Sequence, residues 1–186
     1  MSDVSDLLLT RRTQQLRRWH LHATNGQETL AEHQAQTARI ALEVALLLNN
    51  YKIAEVDPDK CATTALYHDE AETLVSDVSA WFKYLHPEAR AAIHEWERAA
   101  VNELWPAYPP NVQLALQGRA LQQFITEIEQ QVVKYADSLS ALSFIREELK
   151  RGNGHMGAVH ARQMAAMGTM QWPWLEELRR KVKDLP

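Results

Sequence analysis

The sequence predicts an all-α fold in a single domain, on three observations. Apolar residues recur at helical spacing through most of the 186 residues. Alternating β-branched runs bounded by turn residues, the mark of strands, do not occur. Helix-start and helix-stop residues punctuate the chain where these periodic segments begin and end. No Gly/Ser-rich or Pro-rich linker interrupts the middle, and no period of about 20 to 50 residues repeats. One domain is therefore expected over 1–186, with a core over about 5–152 and a helical tail over 153–186.

The elements follow in order. A first helix is expected from Ser5 to Arg17, then a polar loop with Asn25 and Gly26. Thr29 followed three residues later by Glu32 is a capping box, which starts a second helix reaching about Leu48. Its face carries His33, Thr37, Ile40, Val44 and Leu47 at alternating steps of four and three. Asp57 before Pro58 is an N-cap with proline at the first helical position, and the helix it opens is expected to run to Leu74. A short helical segment through Trp81 and Tyr84 follows, and His86-Pro87 opens another helix to about Leu104. Pro106, Pro109 and Pro110 mark a surface loop. A long helix is expected from Leu116 to Lys150, stopped by Gly152 and Gly154, with two short helices around a break at Trp172-Pro173.

Composition narrows the function. A hydrophobic fraction of 46% with 24% charged residues is that of a soluble globular protein and argues against disorder. A net charge of −4, from 24 acids and 20 bases, gives no footprint for a long nucleic acid, although a few placed arginines suffice for a small phosphate. The single Cys61 excludes an internal disulfide and any multi-cysteine zinc motif, in keeping with a cytoplasmic setting. The apolar run at 7–9 is too short for a signal peptide, and no stretch has the length of a membrane span. The methionines of the tail and the six tryptophans favour a self-association surface, hence a homo-oligomer.

The segment ALYHDEAETL at 65–74 places His68, Asp69, Glu70 and Glu72 in a helix that ought to bury apolar side chains. His68 and Glu72 are four residues apart and Asp69 and Glu72 three, so in a continuous helix they share one surface. His33 lies at the start of the apolar stripe of the second helix, and Asp137 is flanked at helical spacing by Val133, Ala136, Ala141 and Phe144. A carboxylate on an inward face is costly unless it is paired or bound to a cation. Two imidazoles and two carboxylates from His33, His68, Asp69 and Asp137 make a mixed N/O set suited to a divalent transition metal ion such as Mn, Co, Zn or Fe. Positions left open on such an ion suit hydrolysis of a phosphate ester. Singly, a buried His is more often a hydrogen-bonded core residue, and an inward Asp can pair with a lysine. It is the ordered set on helices that favours the metal reading.

The order His33, His68-Asp69, Asp137 resembles the HD superfamily of metal-dependent phosphohydrolases, an all-helical bundle. RRWH at 17–20, EH at 32–33, YHDEAETLVSD at 67–77, FKY at 82–84 and KYADSLSALSFIREEL at 134–149 are similar to its bacterial 5′-deoxynucleotidase branch. The resemblance implies His33, His68, Asp69 and Asp137 as metal ligands and Glu72 as the acid that positions or activates the attacking water. It implies Arg18 as the phosphate-binding guanidinium, Trp19 as the residue that packs on sugar and base and crowds the 2′ position, and Asp77 as the contact to the sugar hydroxyl. Lys83 is a candidate for a phosphate contact and Leu21 for the base pocket. Glu70 is expected to be an ordinary solvated acid, like Arg11, Arg12 and Arg17 among the bases.

The chain departs from the branch at His20, where proline is usual, and in SDVSAWFKY, where a proline-containing loop is usual. Both departures fall on the substrate side and leave the metal set intact. The implied partner is a small deoxynucleotide. An Arg-Trp-His pattern is also similar to phage HD enzymes that release tripolyphosphate from deoxyadenosine triphosphate. A third possibility is a nucleotide-binding regulator on an HD scaffold that has lost turnover.

Overall fold

The computed structural model of the chain describes residues 9–78, 87–183 and 185–186. Among them the chain is helical: α1 Leu9–Gln15, α2 Leu30–Asn50, α3 Pro58–Tyr67, α4 Glu72–Val75, α5 Pro87–Asn102, α6 Pro110–Ala120, α7 Glu127–Lys150, α8 Met156–Gly168 and α9 Pro173–Lys181. Among the described residues extended pairing is limited to an isolated antiparallel bridge between Arg17 and Thr29. No helix of the described residues is long and apolar enough to cross a membrane.

The residues fall into two compact units. One gathers the chain up to His22 with Gln27–Gln34 and Tyr67–Phe124, and the other gathers Ala23–Gly26, Ala35–Leu66 and Ile125–Pro186. The first unit packs α4 on α1 and α5, and α5 on α6. Its core is Ala71, Ala100, Val101, Leu104, Trp105 and Ala120, with Tyr67, Val75 and Leu116 against it. The second unit packs α7 on α8. Its core joins Val44 and Leu48 of α2 and Cys61 and Ala65 of α3 to Val132, Val133, Tyr135 and Leu142 of α7 and to Leu175 and Leu178 of α9. Each fully buried leucine or valine there contributes about 1.5–3 kcal/mol against an exposed reference.

Helix starts read from sequence are present. Thr29 N–H donates to Glu32 Oε2 at 2.7 Å while Glu32 N–H donates to Thr29 Oγ1 at 3.2 Å, the two halves of a capping box. Asp57 Oδ1 accepts from the N–H groups of Asp59 and Lys60 at 3.0 and 3.1 Å, capping α3. Gly152 takes φ 83° just past α7, where a left-handed backbone closes a helix without a Cβ clash. The break at Trp172-Pro173 separates α8 from α9 as expected.

Two expected helices are divided. The helix expected from Pro58 to Leu74 ends at Tyr67. His68 to Ala71 form turns in which Glu70 N–H donates to Tyr67 O, Glu72 N–H to Asp69 O and Thr73 N–H to Glu70 O, each three residues back. That tighter winding removes the four-residue register, so His68 and Glu72 do not share a helix face. The helix expected from Leu116 to Lys150 is α6 and α7, separated at 121–126. A second capping box starts α7, Thr126 Oγ1 accepting from Glu129 N–H at 3.3 Å and Glu129 Oε2 from Thr126 N–H at 2.7 Å. The segment expected through Trp81 and Tyr84 lies outside the described residues, as does Lys83.

Candidate metal and phosphate site

His33 is in the first turn of α2, wholly buried. It is carried there by Leu30, whose N–H donates to Leu16 O at 2.9 Å beside the Arg17–Thr29 bridge. His68 and Asp69 follow α3 in the tight turn, and three cationic or imidazole groups converge on one carboxylate oxygen. Asp69 Oδ2 lies 3.1 Å from His68 Nε2, 3.6 Å from His33 Nε2 and 3.2 Å from Arg18 Nη1. The His33 and His68 rings are 5.4 Å apart between centroids, and both Nε2 atoms are sealed from solvent.

This cluster fits a metal. Ligand bonds of about 2.0–2.2 Å put neighbouring donor atoms about 3 Å apart around an ion, and each imidazole Nε2 already stands near that spacing from Asp69 Oδ2. Two neutral imidazoles and one carboxylate are the donors a borderline divalent ion takes. His33, His68 and Asp69 are a His/Asp group whose ligand atoms lie within 4.8 Å of one another. Asp137 is on α7 in the second unit, its Oδ2 2.8 Å from Lys134 Nζ and its side chain 20% exposed.

The surrounding acids differ from expectation. Glu70 is not solvated: it is 4% exposed and accepts a hydrogen bond from Gln34 Nε2 at 3.2 Å. Burial pushes its carboxyl up, an effect the Gln34 amide partly offsets. The tight turn is the cause, because it rotates Glu70 inward from the outer face that a continuous helix would give it. Glu72 opens α4 and is also buried, at 5% exposure. Asp77 follows Ser76, whose φ of 70° ends α4, and is partly buried. Arg11, Arg12 and Arg17 are exposed, as is the Leu21 side chain at 68%.

Arg18 and Trp19 stand on the short segment after the bridge. Trp19 has φ 62°, a left-handed backbone that costs a non-glycine residue about 1–3 kcal/mol. Proline at position 20 would drive residue 19 toward extended backbone, whereas His20 leaves it free to turn this way. The indole is held by Glu28, a residue missed from sequence: Trp19 Nε1 donates to Glu28 Oε2 at 2.7 Å. Arg18 Nε is 3.5 Å from the same oxygen, and Arg18 N–H donates to Glu28 O at 3.0 Å. Burial pushes the Glu28 carboxyl up, opposed by the Trp19 hydrogen bond and by the positive fields of His33 and Arg18. Glu28 sits in a loop before an N-cap, where no periodicity marks a side chain as inward.

A helical scaffold that gathers two histidines, an aspartate and an arginine in this way defines a metal-dependent phosphohydrolase of the HD type. In agreement, the chain superposes with TM-score 0.78 on an HD-domain phosphohydrolase of Listeria innocua, at 16% identity, covering 95% of this chain and 84% of that one. It superposes with TM-score 0.67 on the HD phosphohydrolase of cyanophage S-2L bound to dA and one catalytic Zn²⁺ ion, at 17% identity and 100% and 99% coverage. The chain belongs to the YfbR-like 5′-deoxynucleotidase family, whose model matches residues 7–182. A 5′-deoxynucleotidase of Pasteurella multocida is 32% identical over 154 residues, 83% of this chain and 79% of that protein. The protein is thus a hydrolase acting on phosphate esters.

Proposed function

We propose that the protein hydrolyses the 5′-phosphate ester of deoxyribonucleoside monophosphates, releasing deoxynucleoside and phosphate. The observation that carries this reading is the convergence of Arg18, His33 and His68 on Asp69 Oδ2, which sets a phosphate-binding fork beside the metal donors. Membership of the 5′-deoxynucleotidase family supports it.

In this reading His33, His68 and Asp69 hold a divalent transition metal ion, and Asp137 is the fourth candidate donor. Zinc is favoured by the cyanophage neighbour's Zn²⁺. An ion held there supplies Lewis acidity, making water a nucleophile near neutral pH. Arg18 exchanges its contact with Asp69 for the substrate phosphate, and its planar fork neutralises charge that grows on the phosphoryl oxygens. Glu72 accepts the proton of the attacking water. Asp77 receives the sugar hydroxyl as a hydrogen-bond donor, Trp19 packs on the sugar at the 2′ position, and Leu21 and Lys83 border the base and the phosphates. In the same reading residues 1–186 form a single HD-type phosphohydrolase domain. The enzyme works in the cytoplasm, a reading supported by its single buried Cys61, and as a homo-oligomer, supported by exposed Trp96, Leu114 and Phe124.

Purified protein is given deoxy- and ribonucleoside mono-, di- and triphosphates with Mn²⁺, Co²⁺ or Zn²⁺, and the released species is identified. Orthophosphate from deoxynucleoside monophosphates is the expected result. Tripolyphosphate from a triphosphate would replace it with the triphosphohydrolase activity, and binding without product under every ion would sink the enzymatic reading.

A further inference from the structure

We propose that Glu28 is a positioning residue that sets the discrimination between deoxyribose and ribose by fixing the Trp19 indole. The proposal rests on the assignment of Trp19 to the sugar made above. Glu28 is 5% exposed and touches no substrate position assigned here. Two of its oxygens are turned to the two residues that do: the carboxylate oxygen Oε2 takes the indole N–H at 2.7 Å and lies 3.5 Å from Arg18 Nε, while its backbone oxygen takes Arg18 N–H at 3.0 Å. Glu28 thus holds both ends of the Arg18-Trp19 pair through one residue.

The hold is needed because Trp19 stands at φ 62°, a backbone that relaxes readily when its side chain is released. The Trp19 ring also meets His22, at a centroid distance of 5.9 Å and a tilt of 59°. The hydrogen bond from the indole N–H to Glu28 is short and directional, so it orients the edge that the ring presents to the sugar. A wall that excludes a single hydroxyl works only if it stays still, because a tolerance of one oxygen radius suffices to admit ribose. Glu28 is anchored in turn by its place immediately before Thr29, which makes both the bridge to Arg17 and the capping box with Glu32.

The test compares kcat/KM for matched deoxy- and ribonucleoside monophosphates in Glu28→Gln, Glu28→Asp, Glu28→Ala, Trp19→Phe and the Trp19→Phe/Glu28→Ala pair, with Tm recorded for each. Glutamine keeps an oxygen acceptor at the same reach, so its deoxy-to-ribo ratio stays within about twofold of the parent. Aspartate keeps the charge but withdraws the acceptor by one methylene, and alanine removes it; both lower the ratio by about tenfold. On the Trp19→Phe background, which lacks the N–H, Glu28→Ala leaves the ratio unchanged. If Trp19→Phe lowers the ratio and neither Glu28→Asp nor Glu28→Ala does, the positioning role is wrong and the Trp19 assignment stands. If Trp19→Phe leaves the ratio at the parent value, the Trp19 assignment itself fails and takes this proposal with it. An equal loss on both sugars that tracks a fall in Tm makes Glu28 a structural residue only. Should Glu28→Ala fail to fold, the contrast between glutamine and aspartate decides.

Discussion

At the scale of single residues, Asp69 carries more than its sequence neighbourhood suggests. One of its oxygens faces two imidazoles and a guanidinium. Replacing Asp69 with Asn removes the charge with little change of shape, so metal content measured by elemental analysis should fall together with activity, by at least about 100-fold in affinity. Arg18→Lys separates charge from geometry. Lysine keeps the positive charge but loses the planar fork, and kcat is expected to fall by about 10²–10³ with metal content unchanged. Retention of full kcat would show that charge alone is enough. The metal candidates were legible in sequence because His33, His68 and Asp69 are residue types that inward positions tolerate only with a partner. Glu70 and Glu28 were not. The first follows a helix that breaks after Tyr67, a break that periodicity does not mark, and the second lies in a loop where spacing carries no information about burial.

At the scale of elements, the capping boxes were uneven in how visible they were. Thr29/Glu32 follows a polar loop and is legible, whereas Thr126/Glu129 has the same spacing inside an apolar pattern that continues across it. The periodicity of neighbouring helices can run in phase by chance, and only the cap distinguishes two helices from one. Thr126→Ala should cost about 1 kcal/mol, read as a fall of about 2–4 °C in Tm. Glu129 gives this start a pH dependence. Burial pushes its carboxyl up, but hydrogen bonds from Asp57 and Thr126 outweigh that and hold it below its ordinary 4.5. A carboxyl depressed in the fold stabilises above the unfolded value and loses that contribution as pH falls through the folded one. Glu148 behaves alike: burial is opposed by hydrogen bonds from Asn153, Asn25, Gly26 and Arg151, and its carboxyl also ends below 4.5. Glu129→Gln should therefore flatten the decline of Tm below pH 4.5 while lowering Tm at neutral pH. An unchanged acid slope would show that the carboxylate is not depressed.

At the scale of the whole molecule, a metal that binds only the folded chain must stabilise it. With free ion at about 100 times its dissociation constant the gain is about 2.7 kcal/mol. Thermal melts with added Zn²⁺ or Mn²⁺ should move upward and melts with chelator downward, and the shift should vanish in Asp69→Asn. The helical class followed from periodicity and from the absence of strand patterns, which local sequence states openly. The two compact units did not, because no linker or change of composition marks where contacts thin out. The same long helix, α2, contributes His33 to one unit and Val44 and Leu48 to the other, and a break in contacts within a continuous helix leaves no trace in residue choice.

The carboxylate of Glu129 has a further consequence for how this chain is made. Besides closing the cap of α7, its Oε1 accepts the N–H of Asp57 at 2.8 Å, 72 residues earlier. Asp57 is the residue that starts α3, so two helix beginnings share one side chain. On a ribosome that adds roughly 5–20 residues per second, α3 waits several seconds for the acid that completes its start. The first half of the chain is therefore exposed to chaperones and proteases in an unfinished form, and slowing synthesis between residues 57 and 129 should lengthen that exposure without altering the finished protein.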